Sequence, residues 1–263
     1  MPNWCSNKLE VKGKGFVVKH FIQENFRTNK YDDEFKYELD FEKFNPTPID
    51  GKTGEMIENW HTWRLENWGC KRSPAGIYQN VHLSVDDNGE ISEYNYHTEK
   101  IFTEDLINNL NEEGDVKLEL ECYFDTPWGP PEKIFDDWYG SYKSTGMELS
   151  LKFFEPGCEI LGEMWFNGEE VGEFYPDSDG VEYYEYLLNN EWETVDGLIE
   201  YYAYFKLEDM NDGNKEVLEK LVDKIYEECK KMTNKQIAML MHDIDNQWIE
   251  WNKKGEENEP SEK

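Results

Sequence analysis

The stretch from Phe153 to Phe205 contains no Lys, Arg or His, yet it carries 14 acidic and 14 aromatic residues. Folded surfaces normally mix both signs of charge, because like charges repel and oppose the compact state. The imbalance extends over the whole chain, which has 58 acidic and 27 basic residues and a net charge of −31. We therefore expect nucleic acids and anionic membranes to repel the protein, and basic protein surfaces to attract it.

The aromatic content indicates a folded protein in spite of this charge. The chain has 10 Trp, 16 Tyr and 14 Phe among its 263 residues, whereas disordered acidic chains are typically poor in aromatic residues. A chain of this length is long enough to bury a sizeable core, as one large domain or two smaller ones.

The sequence carries no mark of export or of a membrane span. No run of about 18 apolar residues occurs, and the first residues lack the basic and apolar segments of a signal peptide. The cysteines are odd in number and far apart, which favours reduced thiols over a disulfide framework and predicts a cytoplasmic protein. They are Cys5, Cys70, Cys122, Cys158 and Cys229.

The periodicity of apolar residues predicts a mixed α+β fold. Strands are predicted at 7–11, 39–44, 81–85, 91–96, 116–124, 147–154, 160–166 and 170–175. Helices are predicted at 16–26, 55–68, 102–110, 130–138, 181–190, 195–205 and 214–230, and after the capping-box pair Thr233 and Gln236. The order lacks the regular alternation of a parallel sheet, so we expect a mostly antiparallel sheet with helices on one face.

Three regions follow from this pattern. Residues 1–175 are predicted to form the α+β domain, and residues 176–252 an acidic, aromatic-rich helical extension. The polar segment 253–263 is predicted to be a disordered tail.

Several short blocks rich in Trp, Gly and Pro punctuate the first region. They are Met-Pro-Asn-Trp-Cys-Ser-Asn at 1–7, Glu-Asn-Trp-Gly-Cys-Lys at 66–71, Phe-Asp-Thr-Pro-Trp-Gly-Pro-Pro at 124–131 and Phe-Glu-Pro-Gly-Cys at 154–158, with Gly162. In this order and spacing they resemble the YubB-type ferredoxin-like domain family of bacteriophage and conjugative-plasmid proteins. The resemblance covers about residues 1–175 and implies a ferredoxin-like fold encoded on a mobile element. It implies no activity.

The chain departs from the family pattern at several positions. Cys70, Arg72 and Ser73 stand where the family has a Thr followed by an aromatic residue and Asp. Pro127 replaces the usual small residue before Trp128, and the window 158–162 carries aliphatic residues where an aromatic is usual. If the second block were an active site in relatives, it is altered in this chain.

Two sets of residues are candidates for function. Carboxylates interleaved with Tyr and Trp predict a surface that binds a basic partner and imitates a phosphate backbone, since acids steer the encounter and aromatic residues anchor it. This acidic set is Glu163, Glu169, Glu170, Glu173, Asp177, Asp179, Glu182 and Glu185. The second candidate is a ligand groove lined by Trp68 and Trp128, although Trp beside Gly and Pro is also typical of packed strand-to-helix corners.

The sequence shows no established catalytic or metal-binding motif. Its histidines are scattered, and the run His242-Asp243-x-Asp245 lacks the further histidines that a metal-dependent phosphohydrolase requires. The run Asp177-x-Asp179-Gly180 fails as a calcium loop, because Tyr occupies the first and twelfth positions. We therefore expect no metal, no cofactor and no enzymatic activity.

The leading hypothesis is a cytoplasmic protein, encoded by a phage or plasmid, that binds and inhibits a basic, nucleic-acid-handling defence protein of a bacterial host. The target would be of the CRISPR or restriction type, and the protein would bind no nucleic acid directly. Two alternatives stay open: a structural or housekeeping phage protein whose acidity serves only solubility, and a hydrolase with a groove near Trp68 and Trp128.

Overall fold

The computed structural model describes residues 3–31, 34–75, 79–87, 90–92, 117–157, 160–168, 170–177, 180–190, 192–199, 204–210 and 215–258. The chain divides into two compact units, Met1–Tyr175 and Pro176–Lys263. Among the described residues, no helix combines the length and apolarity needed to cross a membrane.

An antiparallel sheet forms the centre of the first unit. Its strands are β1 (Trp4–Lys14), β4 (Gln79–Asp87), β5 (Glu90–Ser92), β6 (Lys117–Pro127), β7 (Glu148–Glu155), β8 (Ile160–Phe166) and β9 (Val171–Phe174), in the spatial order β5-β4-β6-β1-β7-β8-β9. A separate hairpin pairs β2 (Phe26–Tyr31) with β3 (Glu34–Leu39). The helices are α1 (Gly15–Asn25), α2 (Phe41–Phe44), α3 (Trp60–Trp68) and α4 (Glu132–Tyr142).

The connections confirm a ferredoxin-like α+β fold. Strand β1 leads through α1, the β2-β3 hairpin, α2 and α3 to β4, and β6 leads through α4 to β7. In each case the partner strand lies between the two, so the four central strands run β4-β6-β1-β7 with every pair antiparallel. This is the split βαβ arrangement that defines the fold.

One face of the sheet forms the core, because apolar residues alternate along the central strands. In β1 the residues Leu9 and Val11 are buried, and so are their neighbours across β6 and β7. Helices α1 and α4 cover this face and meet through Phe21 and Trp138, whose ring centroids lie 5.4 Å apart. Such edge-to-face pairs add about 0.5–1.5 kcal/mol to the effect of burial.

The opposite face of the sheet carries a ladder of ion pairs. Lys8 lies 2.6 Å from Glu10 and 3.4 Å from Glu121, and Lys12 lies 2.7 Å from Glu119. Lys8 and Lys12 alternate with Glu10 along β1, and both cations reach a carboxylate on β6. Such opposite-charge pairs stabilise a sheet by about 0.2–1 kcal/mol each. The exposed face of the central strands is thus locally balanced in charge.

The second unit consists of helices. They are α5 (Val181–Asn189), α6 (Val195–Gly197), α7 (Tyr204–Met210), α8 (Lys215–Cys229) and α9 (Asn234–Asn258). The capping box predicted for α9 is confirmed, since Gln236 Oε1 accepts from the Thr233 amide at 2.9 Å and Thr233 Oγ1 accepts from the Gln236 amide at 3.4 Å.

Some predicted elements are wrong. The segment 39–44 is mostly helical, because Asp40 caps α2 by accepting from the Glu42 amide at 3.1 Å. The helix predicted from residue 55 begins only at Trp60. Of the helix predicted at 195–205, residues 195–199 are helical and α7 begins at Tyr204, whereas residues 200–203 lie outside the described part of the chain. Helix α9 continues to Asn258, so the predicted tail 253–263 overlaps its end. The helix predicted at 102–110 and the strand at 93–96 lie outside the described residues.

Candidate functional site

The Trp, Gly and Pro blocks of the first unit meet at one end of the sheet. In the registers of the central strands, Trp4 at the start of β1 lies opposite Pro127 at the end of β6, and Ser6 lies opposite Phe154 near the end of β7. The loop after α3 contributes Lys71, whose Nζ lies 5.2 Å from the centre of the Trp128 ring. We call this end of the sheet the tryptophan corner.

Buried hydrogen bonds hold the tryptophan corner in place. The side-chain Nδ2 of Asn7 donates to the Cys5 carbonyl and to Thr126 Oγ1, at 2.8 Å in both cases. Thr126 Oγ1 in turn donates to the Gly129 carbonyl at 2.8 Å. Because Asn7 and Thr126 are almost completely buried, losing either partner would leave polar groups unsatisfied at about 1–3 kcal/mol each.

The backbone of Trp128 adopts a left-handed conformation. Its φ is +75°, which a bulky side chain rarely tolerates. The Trp128 amide donates to the Asn3 carbonyl at 2.9 Å, and this bond fixes the turn. The indole ring is 46% exposed. Strained residues of this kind cluster at functional sites, so the exposed ring is a candidate contact for a ligand or partner.

Gly69 has a steric role in the second block. Its φ is +82°, and a Cβ atom at this position would lie 2.8 Å from the Glu132 amide nitrogen and 3.1 Å from the Pro130 carbonyl oxygen. The glycine ends α3 and brings the following chain against the start of α4. Packing therefore accounts for the Trp-Gly pair at 68–69.

Trp68 belongs to the core, which corrects the predicted groove. Its side chain is fully buried and its Nε1 donates to the Asn45 carbonyl at 2.9 Å. The guanidinium of Arg64 lies 4.7 Å from the ring centres of both Trp68 and Trp60, and Arg64 also pairs with Glu42. Trp68 therefore does not line a groove with the exposed Trp128.

The buried cysteines of the first unit are poor nucleophiles. Burial raises the pKa of Cys70 to about 12, with the Arg72 carbonyl contact and the Arg64 charge acting in the opposite direction. Burial also raises the pKa of Cys122, and burial together with the charge of Glu155 raises that of Cys5. Since only the thiolate reacts readily, these side chains serve packing.

In the first unit the acidic set does not form one row. Glu163 lies opposite Phe174 and Glu173 lies opposite Met164, so the two acids face opposite sides of the sheet. Glu163 accepts a hydrogen bond from Ser150 Oγ at 2.8 Å and stands across from Lys152 in β7. Glu170 and Glu173 are exposed. Glu169 lies outside the described residues.

The rest of the acidic set belongs to the second unit. Asp177 and Glu182 are exposed, whereas Glu185 is half-buried on α5. The aromatic residues next to these acids, Tyr183 and Tyr184, are buried and pack edge to face with ring centroids 5.5 Å apart. These two rings are core residues of the helical unit and do not present an aromatic surface. Asp179 lies outside the described residues.

The described residues contain no group of three or more His, Cys, Asp or Glu placed to hold a metal ion. In the run at 242–245, Asp245 accepts hydrogen bonds from Tyr184 and Lys206. His242 Nε2 lies 3.1 Å from the Asn246 side-chain nitrogen. The carboxylate of Asp245 therefore joins elements of the helical unit.

Two features of the site were not predicted from the sequence. The left-handed backbone at Trp128 has no sequence signal, because residues with positive φ are usually Gly or Asn. The second feature is the position of β9 at the edge of the sheet. The Asn167-Gly168 turn correctly predicted the hairpin of β8 and β9, but the edge position of β9 depends on the pairing of all the other strands.

Comparison with known proteins gives little further information. No family model matches the chain, and no curated protein matches it. Among solved structures, it is similar to the protein api92 from Yersinia pseudotuberculosis, of the family model DUF1281, with 12% identity, a TM-score of 0.32 and coverage of 67% of this chain and 99% of that chain. A likeness at this level supports no conclusion about function, and the resemblance to the YubB-type family stays a prediction.

Proposed function

We propose that this chain is a non-catalytic acidic protein that binds a basic, nucleic-acid-handling protein and blocks its nucleic-acid-binding surface. The observation that carries the proposal is the exposure of Glu170, Glu173 and Glu182 within a segment, 153–205, that has no Lys, Arg or His. Carboxylates at such positions attract a cationic surface and speed its encounter with the protein. The same charge disfavours a direct approach of nucleic acid.

The distribution of charge over the first unit supports this proposal. The cations Lys8 and Lys12 are paired with carboxylates on the open face of the central strands. That face is balanced, so the excess of acids over bases in the chain falls on other surfaces. Exposed carboxylates of β9 and α5 contribute to that excess.

The biological setting of the proposal is the cytoplasm of a bacterial host, with the chain encoded by a phage or plasmid. This part is supported by the motif blocks at 1–7, 66–71 and 124–131 and their resemblance to mobile-element proteins. A defence protein of the CRISPR or restriction type is then the expected target, because such proteins handle nucleic acid with basic surfaces.

The experiment compares three forms of the full chain as immobilised bait in a nuclease-treated lysate of a defence-bearing bacterium. They are the wild type, the variant Glu170→Gln/Glu173→Gln/Glu182→Gln, and a control that removes the same charge elsewhere, Glu58→Gln/Glu66→Gln/Glu148→Gln. The control acids are also exposed. A captured basic protein is then purified, and its affinity for nucleic acid is measured with and without each bait.

We expect the wild type and the control to retain the partner and to compete with nucleic acid. Exposed ion pairs contribute about 0.2–1 kcal/mol each, so losing three should weaken binding between about threefold and a hundredfold. Raising the salt concentration should weaken binding further. Equal binding by both triple variants, or no retained basic protein, would contradict the proposal and favour acidity that serves only solubility.

A further inference from the structure

We propose that β9 is a docking edge that accepts an extended, basic segment of the partner as an additional antiparallel or parallel strand. The inference deepens the proposed function and rests on it, because it takes the partner to be basic. It assigns the contact to the backbone of β9 as well as to the carboxylate of Glu173.

The position and register of β9 leave one side of its backbone facing outward. The strand ends the sheet, and no described strand lies beyond it. The Asn167 amide donates to the Glu170 carbonyl at 3.1 Å and closes the turn between β8 and β9. In an antiparallel pair, residues that exchange hydrogen bonds alternate with residues whose amide and carbonyl groups point away. Counting from the turn, the backbone groups of Gly172 and Phe174 bond to β8. The amide and carbonyl groups of Val171 and Glu173 point away from β8.

The edge of β9 lacks most of the devices that protect sheet edges. Such edges are usually guarded by Lys, Pro or bulges, or covered by another element. The pairing of β8 with β9 runs without a bulge from 163–166 to 171–174. The side chains of Val171 and Tyr175 are 54% and 45% exposed. Among the described residues, the protecting features of this edge are its short length and Glu173, an acid that discriminates between partners by charge.

The charge of the edge selects the occupant. A strand added beside β9 would place a side chain about 4.5–5.5 Å from that of Glu173, measured between Cβ atoms. A Lys or Arg at that position gains an opposite-charge pair. A second copy of this chain that paired with Glu173 opposite Glu173 would instead bring carboxylate against carboxylate, which is destabilising. The charge of the edge therefore favours a basic extended segment.

The test uses a defined probe, an acetylated and amidated octapeptide of alternating Lys and Val. Binding to the full chain labelled with ¹⁵N is followed by amide chemical shifts and by amide hydrogen exchange. Two control peptides are used: one with Glu in place of Lys, and one that keeps Lys but carries N-methyl groups on alternate residues, so that it cannot complete a ladder.

The matched variants are Val171→Pro and Val171→Thr. Proline removes the outward amide at the first residue of an edge strand, a position where it is tolerated, and it blocks the ladder on that side. Threonine keeps the amide and the branched shape. The amide spectrum of β1 and β6 verifies that both variants are folded.

We expect the Lys-Val peptide to bind the wild type and Val171→Thr and to slow hydrogen exchange at residues 171 and 173. The Val171→Pro variant and the N-methylated peptide should bind about tenfold more weakly, and the Glu peptide should not bind. Equal binding of the N-methylated peptide, unchanged exchange at 171 and 173, or no binding of the Lys-Val peptide would overturn the docking edge.

The two proposals can fail separately. If Val171→Pro captures the basic lysate protein as well as Val171→Thr does, the docking edge fails and the proposed function stands. If the wild type captures no basic protein, the proposed function fails, and the peptide data still decide whether β9 accepts a strand.

Discussion

The steric effect of a side chain at position 69 can be separated from the strain of its left-handed backbone by a matched pair of alanine substitutions. Gly69 and Gly54 both have positive φ, +82° and +73°. At Gly54 no atom lies within 4 Å of an added Cβ, whereas at Gly69 the Glu132 amide nitrogen lies at 2.8 Å. Gly54→Ala therefore measures strain alone, and Gly69→Ala measures strain together with displacement of the α4 backbone.

The magnitudes follow from these two contributions. A left-handed conformation costs an alanine about 1–2 kcal/mol, and the smaller entropy of its unfolded chain offsets about 0.4–1 kcal/mol of this. Gly54→Ala should thus lower the free energy of unfolding by about 0–1.6 kcal/mol. Overpacking adds about 1–3 kcal/mol at Gly69, because Phe135 and Trp138 fix α4 in the core.

Hydrogen exchange of β1 amides is the suitable assay, since the central strand exchanges only when the first unit opens globally. We expect Gly69→Ala to exchange faster than Gly54→Ala by a factor that corresponds to the extra 1–3 kcal/mol, or about fivefold to a hundredfold. Equal exchange rates in the two variants would refute the packing explanation of the Trp-Gly block.

Three further outcomes are expected. Burial would raise the pKa of Glu10, but the hydrogen bond and charge of Lys8 outweigh burial and hold this pKa below its usual value of 4.5. The stabilisation by ionised Glu10 is therefore complete above pH 4.5 and is lost as the pH falls through the lowered pKa. The advantage of the wild type over Glu10→Gln in urea unfolding should shrink on acidification. Cys5 and Cys70 should react with a thiol reagent at pH 8 only after denaturation, and rapid labelling of the native protein would contradict their raised pKa values. Trp128→Gly should change stability by no more than about 1 kcal/mol, because relief of strain is offset by the larger entropy of the unfolded glycine chain and by loss of an exposed cation–π contact; a thermal unfolding scan that shows a larger decrease would mean that the ring packs in the core.

The strands of the central sheet could be predicted because their signal is local. Alternation of apolar residues over 116–124 matches the buried positions of β6 one for one through Leu118, Leu120, Cys122 and Phe124. The same rule gave a wrong prediction for the segment 39–44. Phe41 and Phe44 fit a helix as well as a strand, and the cap provided by Asp40 decided between them.

The candidate site was harder to predict because its geometry depends on distant pairings. The sequence shows that Glu163 and Glu173 lie on one hairpin, but their opposite faces follow from the turn that pairs Asn167 with Glu170. Trp68 and Trp128 both precede a glycine. One is buried beside Arg64 and the other is exposed on a left-handed backbone, a difference that local sequence does not encode.

The central position of β1 has a consequence for synthesis of the protein. Leu9 pairs with Cys122 on one side and with Leu151 on the other, so β1 leaves the ribosome before both of its partner strands and must wait for them. At about 5–20 residues per second, the delay before β6 is translated is roughly 5–20 s. During that time the charges of Lys8, Glu10 and Lys12 disfavour association of the unpaired strand with other chains. The side chains that form ion pairs in the finished sheet thus protect the strand before its partners exist.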